Sequence, residues 1–290
     1  MTLPPAKWWR PADCGATECT LCPRGCTIAD GKTGFCGVRQ NVGGELFSLS
    51  YGHPVSIAID PVEKKPLARF MPGTRTFSLG TFGCNLGCVF CQNHSLSRGN
   101  YTNDPPQDFI SPEQIVKMAL YHGCPSISYT YNEPTVFAEY VFDIARAAHH
   151  AGLKNILVSN GFITDDASDA IYPLMDAANI DMKGFRHNFY ENMCQASLEP
   201  VLQSILKLHR LDVHLEITTL VIPGKNDDDD SIQSWLAWAK DNLGTDIPLH
   251  FSAYHPAWKC RIPPTPPQIL YRIHAMAREA GFAYVFLGNI

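Results

Sequence analysis

The chain has 290 residues, 45% hydrophobic and 18% charged, which supports one large buried core and excludes disordered, collagen-like and coiled-coil chains. Its longest apolar runs, such as 217–223, are strand-sized and far short of the ~20 residues that cross a bilayer. The first residues carry no apolar signal region with a cleavage site, so a cytoplasmic protein with no membrane partner is expected. With 23 basic against 28 acidic residues, net −5, the chain lacks an excess of phosphate-binding charge, and nucleic acid is not expected as a partner.

Eleven cysteines without a secretory signal point to metal or redox chemistry rather than disulfides. Five of them fall in the first 36 residues. Up to Pro72 the chain is rich in Gly, Pro and Cys, with short strand-like stretches at 46–50 and 55–59. This predicts a small N-terminal cysteine-rich module, residues 1–72, ending at the Pro72-Gly73 pair. Within it, Cys19-x2-Cys22-x3-Cys26-x9-Cys36 offers four thiolates, the set for a second metal site holding zinc or a second iron–sulfur cluster. Trp8 and Trp9 are expected to pack against the core that follows, and Cys14 has no assignment.

From residue 73 to 290 apolar strand patterns alternate with helical ones. Strands are expected at 76–81, 126–131, 155–159, 178–182, 214–222, 248–254 and 283–287. Ser111-Pro112-Glu113-Gln114 is a capping box opening a helix, Thr135 starts a second that Gly152 ends, and Val201, Leu202, Ile205 and Leu208 mark a third. Ser231 opens a fourth, with the acidic run 227–230 at its N-terminus, and Thr265-Pro266 opens the last. Six strand–helix units with a seventh strand predict an α/β fold, a partial (β/α)6-type barrel with parallel strands.

Directly after the first of these strands comes Cys84-x3-Cys88-x2-Cys91. Three thiolates in one short loop hold three corners of a [4Fe–4S] cubane and leave one iron open to an outside ligand. Zinc is the alternative, with Cys124 or His94 as a fourth ligand.

This loop, placed after the first strand of a β/α barrel, resembles that of the radical S-adenosylmethionine (SAM) enzymes. In those enzymes the open iron binds the amino and carboxylate groups of SAM, and one electron cleaves the sulfonium to a 5′-deoxyadenosyl radical. Phe90 matches the aromatic that packs near the adenine. Tyr131-Asn132-Glu133-Pro134 resembles the GGEP-type segment that holds the methionyl amino group, with Tyr and Asn in place of two glycines. Ser159-Asn160-Gly161-Phe162 and Asp181-Met182-Lys183 resemble segments of glycyl-radical-enzyme activases, as does 220–230. The resemblance extends over nearly the whole chain to the AmmeMemoRadiSam-type branch, related to the pyruvate formate-lyase activating enzymes. Segments 60–67, 255–259 and 263–266 and the Gly288-Asn289 pair carry it.

The resemblance implies a radical SAM oxidoreductase with Cys84, Cys88 and Cys91 on the cluster and Phe90, Asn132, Glu133, Ser159, Asn160, Asp181 and Lys183 around SAM. It also implies a reductant such as flavodoxin or ferredoxin. Taken alone, Glu133 and Lys183 read equally well as salt-bridge partners at a barrel mouth. His255 is either a general acid–base group or a satisfied strand-end histidine. Cys194 and Cys260 read as buried small hydrophobes. By analogy the substrate is a protein backbone glycine. The alternatives are a small molecule or RNA base modified with a partner protein, and a metal-bound scaffold without catalysis.

Overall fold

The computed structural model describes residues 4–99 and 108–290. The N-terminal strands β1 (Trp9–Pro11), β2 (Thr17–Cys19) and β3 (Thr27–Ile28) form an antiparallel sheet, and β4 (Arg39–Val42) pairs with β5 (Glu45–Ser48) as a hairpin. Two residues connect that hairpin, Gly43 and Gly44, at φ 63° and 88°. Positive φ at both central positions is what a type I′ turn requires, and glycine adopts it without strain.

Next comes β6 (Ser56–Pro61), then seven strands in chain order: β7 (Arg75–Gly80), β8 (Ser126–Tyr129), β9 (Lys154–Ser159), β10 (Ala177–Asp181), β11 (His214–Val221), β12 (Leu249–Ala253) and β13 (Val285–Gly288). The seven are parallel, and β6 runs antiparallel beside β7 as the eighth strand of the sheet. The sheet therefore runs across the division expected at Pro72. An edge strand before that proline satisfies the outer backbone groups of β7, which would otherwise be exposed.

The crossovers carry α1 (His94–Ser97) and α2 (Pro112–Tyr121), α3 (Ala138–His150), α4 (Asp165–Ile171), α5 (His187–Phe189) and α6 (Glu199–Arg210), α7 (Asp229–Leu243) and α8 (Pro267–Glu279). The capping box at Ser111 forms: Gln114 N donates to Ser111 Oγ at 3.3 Å and Ser111 N to Gln114 Oε1 at 2.7 Å. Two helix starts differ from the sequence pattern. Pro134 starts a 3-10 turn through Phe137, capped by Glu133, before α3 begins. In α7 the cap is Asp228, which accepts from Ser231 N at 2.9 Å, so the acidic run itself forms the first turn. The short α4 is not marked by any apolar periodicity and was not anticipated.

Within the sheet, alternate residues face opposite ways. Ile127 and Tyr129 pack into the main core that the helices cover, while Thr76 Oγ1 and Ser128 Oγ meet at 2.7 Å on the other face. That inner face is plugged from below by residues 62–70. Val62 and Leu67 form a separate cluster with Ile156 and Ala177, and Asn179 Nδ2 donates to Pro66 O at 2.7 Å. Fully buried Glu216 fixes the plug: its carboxylate accepts from Ala68 N at 2.9 Å and Arg69 N at 2.8 Å, and bonds His250 at 2.6 Å and His214 at 2.9 Å.

Burial alone would raise the Glu216 carboxyl, but the hydrogen bonds from His214, His250 and the two backbone N–H groups outweigh it and bring it down to about 2. A depressed carboxyl stabilises the fold above its unfolded pKa and loses that contribution as pH falls from the ordinary 4.5 towards about 2. Glu216→Gln is expected to lower unfolding free energy at pH 7 by about 2–4 kcal/mol. Urea melts between pH 2 and 7 would show the variant with a flatter acid limb than the parent.

Candidate functional site

The C-terminal ends of the parallel strands converge on a cavity of about 290 Å³. In a β/α barrel this is the face where side chains from separate strands meet. Cys84, Cys88 and Cys91 line it from the loop after β7, with Phe90, Asn132, Glu133, Asn160, Asp181 and Lys183 from the loop itself and the ends of the next three strands. Nine residues singled out in the sequence therefore share one cavity.

The loop is held on every side. Asn132 Oδ1 accepts from Thr81 N at 2.9 Å, and its Nδ2 donates to Gly83 O at 3.0 Å, fixing the entry. Gly87 N donates to Cys194 O at 2.7 Å and Val89 N to Met193 O at 3.0 Å. Those carbonyls lie in a π-helical turn, Tyr190–Cys194, a distortion that often marks functional positions. A Cβ on Gly87 would stand 2.3 Å from Oε1 of the Gln195 side chain, which would have to shift to admit it. From the N-terminal module, Arg24 donates to the carbonyls of Asn85 and Gln195. Neither Arg24 nor the π turn was singled out in the sequence, because each works through backbone carbonyls distant along the chain.

Burial pushes the Cys84 and Cys91 thiols up. Cys88 is raised first by a hydrogen bond with Cys194, then by burial. Asn160 Nδ2 lies 3.8 Å from Cys84 Sγ and donates to Asn85 Oδ1 at 2.9 Å. Asp181 and Lys183 form an ion pair at 2.8 Å. Burial alone would lower Lys183, but the Asp181 carboxylate and nearby Cys88 hold it above its ordinary value, so it remains an ammonium. Thr218, from β11, also lines the cavity, and its buried Oγ1 has no hydrogen-bond partner among the described residues.

Glu133 faces the cavity but forms no ion pair among the described residues. Its carboxylate, 2% exposed, accepts from Thr135 N, Thr135 Oγ1, Ser159 Oγ and Asn160 N at 2.7–2.9 Å. It ties the end of β8 to the end of β9. Ser159 is outside the lining set, with its hydroxyl spent on Glu133 and accepting from Gly161 N. His255 is exposed and also outside that set; its Nδ1 lies 3.1 Å from Gln92 Nε2, at the cavity's rim.

Among the described residues the zinc alternative finds no fourth ligand. Cys124 precedes β8 and so lies at the opposite end of the strands from Cys84. His94 stacks on Trp258 with ring centroids 4.9 Å apart. Among the described residues no three His, Cys, Asp or Glu side chains are arranged about a single ion. No described helix is long and apolar enough to cross a membrane.

Comparison with known proteins identifies the family. The Radical SAM superfamily pattern matches residues 78–236, more than half the chain. "Uncharacterized protein MJ0808" of Methanocaldococcus jannaschii is 40% identical over 98% of this chain and 85% of its own length. The pyruvate formate-lyase 1-activating enzyme of Escherichia coli K12 is 23% identical over 60% of this chain and 71% of its own. A radical SAM methyltransferase from Sphaerobacter thermophilus shares the fold at a TM-score of 0.58 and 13% identity, over 75% of this chain and 67% of its own. The three-cysteine loop at the barrel mouth thus sits inside the matched region, and the chain belongs to the radical SAM superfamily of enzymes.

Proposed function

We propose that this protein holds a [4Fe–4S] cluster on Cys84, Cys88 and Cys91 and cleaves SAM reductively to begin a hydrogen abstraction. The observation that carries this reading is the single cavity shared by the three thiols and the strand-end polar groups. When bound, the cluster supplies the electron that breaks a carbon–sulfur bond of SAM, giving methionine and a 5′-deoxyadenosyl radical.

The residues present fit that pair of groups. Three thiols on one loop leave one cluster corner without a protein ligand. The Asp181–Lys183 pair offers both signs of charge to a zwitterionic amino acid, and the orphaned Thr218 hydroxyl offers a donor and an acceptor. Phe90, 2% exposed and 6.0 Å from the Phe189 ring, supplies a buried aromatic wall for the adenine. Asn132 and Glu133 act as positioning residues, one for the loop entry and one for the two strand ends. Ser159 serves SAM only through Glu133.

Asn160 directs an N–H at Cys84 Sγ, the kind of contact that tunes a cluster without ligating it. Asn160→Ala is expected to lower SAM cleavage about 10- to 100-fold while iron content stays at the parent level. Iron assay beside product formation separates this from cluster loss.

A low-potential one-electron donor of the flavodoxin or ferredoxin class is the reductant in this reading. The likeness to an activating enzyme over 60% of the chain favours a protein backbone glycine as substrate. In this reading His255, exposed beside Gln92, meets the substrate rather than SAM. The test is anaerobic reconstitution with iron and sulfide, then dithionite plus SAM, assayed for 5′-deoxyadenosine. Formation of that product supports the reading, and an iron-loaded protein that yields none, even with candidate glycyl-radical partners added, overturns it.

A further inference from the structure

Tyr131 follows β8 and lines the cavity, and its backbone lies in the left-handed region at φ 70°. That conformation strains a residue with a side chain, and glycine is the residue that takes it freely. Strained residues persist only where their surroundings hold them, and they cluster at functional sites.

The side chain is anchored outside the cavity wall. The Tyr131 hydroxyl donates to Asp60 Oδ2 at 2.6 Å, and the Lys65 ammonium lies 4.4 Å from the centre of its ring. Lys65 Nζ donates to the same Asp60 oxygen at 2.5 Å, with the two side chains 3% and 5% exposed. Burial alone would raise the Asp60 carboxyl, but the hydrogen bonds from Lys65, Tyr131 and Lys64 bring it well below its ordinary value, so it stays an acceptor. Asp60 belongs to β6 and Lys65 to the plug, and neither lines the cavity. The backbone is confined as well: a Cβ on Gly80, in β7, would stand 2.6 Å from Thr130 O.

The strained turn aims one carbonyl. Tyr131 O accepts from Asn93 Nδ2 at 2.8 Å. Asn93 O in turn accepts from Leu96 N at 3.1 Å and Ser97 N at 3.0 Å, which starts α1, and Ser97 Oγ lies 3.7 Å from Cys91 Sγ. Asn132 fixes the entry of the cysteine loop, and its neighbour Tyr131 fixes the exit.

We propose that Tyr131 is a positioning residue, held left-handed by Asp60 and Lys65 so that its carbonyl, acting through Asn93, sets the place of Cys91 and with it the cluster face that meets SAM. The consequence for SAM rests on the function proposed above; the hold on the loop does not.

Backbone and side-chain roles order the variants differently. Glycine reaches φ 70° without strain, whereas alanine keeps the strain and loses the anchor. Tyr131→Ala is therefore expected to do more damage than Tyr131→Gly, although glycine removes more of the side chain. In the cluster-free full chain, amide hydrogen exchange at residues 96–98 is expected to quicken on the order of tenfold in Tyr131→Ala and in Asn93→Ala, and to stay near the parent rate in Tyr131→Gly. In the reconstituted, dithionite-reduced protein, the SAM concentration that half-shifts the electron paramagnetic resonance signal is expected to rise about tenfold in the same two variants. Combining Tyr131→Ala with Asn93→Ala is expected to add nothing further, because both break one contact.

Glycine as damaging as alanine, or losses that add in the double variant, overturns the proposal. Asn93 is exposed, so Asn93→Ala carries the test if Tyr131→Ala does not fold, and parent rates of exchange in it overturn the clamp. A parent protein whose signal SAM does not shift overturns the function proposed above instead, and the exchange measurement still decides whether Tyr131 holds the loop.

Discussion

Cys88→Ala is expected to abolish SAM cleavage, a loss of at least about a thousandfold, as when a group through which the whole reaction runs is removed. Cys88 stands in the middle of the loop, between backbone bonds from Gly87 to Cys194 O and from Val89 to Met193 O. The loop therefore keeps its shape without the side chain, and what is lost is one of three ligands. Measured 5′-deoxyadenosine should vanish together with the part of the iron that SAM perturbs. Cys194→Ala provides the comparison. Cys194 is fully buried and bonded to Cys88, but it lies outside the three-cysteine spacing. That variant should retain the parent iron content, and a parallel loss of iron in it would assign Cys194 as a ligand.

The second large effect concerns how the N-terminal module is joined to the barrel. Arg39, on β4, meets Glu139, on α3, at 2.7 Å, with the two side chains 1% and 3% exposed. Glu139 Oε1 also accepts from Lys7 N at 2.7 Å, and Arg39 Nη2 donates to Lys7 O at 3.0 Å. Removing one member of such a pair leaves the other charge buried and uncompensated. Arg39→Ala is accordingly expected to cost about 3–5 kcal/mol of unfolding free energy, whereas Arg39→Met with Glu139→Leu should cost much less. Chemical denaturation of the three proteins reads the difference directly. Equal losses in the single and double variants would mean that packing volume, not charge, is what matters there.

What was legible in the sequence was local. The spacing 84–88–91 and the strand endings at Glu133, Asn160 and Lys183 carry their own geometry, because a strand's end in a parallel barrel always points to the same mouth. Parity along a strand was harder. Ser159 and Asn160 are adjacent, yet one turns towards the helices and bonds Glu133 while the other turns inward to Cys84; a one-residue step moves a side chain to the opposite face. Contacts between distant segments left no local trace. Glu216 reaches Ala68 across 148 positions, and Arg24 reaches Gln195 across 171. Both act on backbone groups, which every residue possesses, so residue identity gives no hint of the partner. The plug at 62–70 was hidden for the same reason, and although 55–59 reads as strand-like, nothing in it names β7 as the partner of β6.

The central claim is that the cluster on the three-cysteine loop keeps an iron open to SAM. The measurement that addresses it most directly is the electron paramagnetic resonance spectrum of the dithionite-reduced, iron-loaded protein, recorded before and after SAM is added. The structure predicts a signal that shifts when SAM binds. A signal that SAM leaves unaltered, in a protein whose iron content is full, would contradict it.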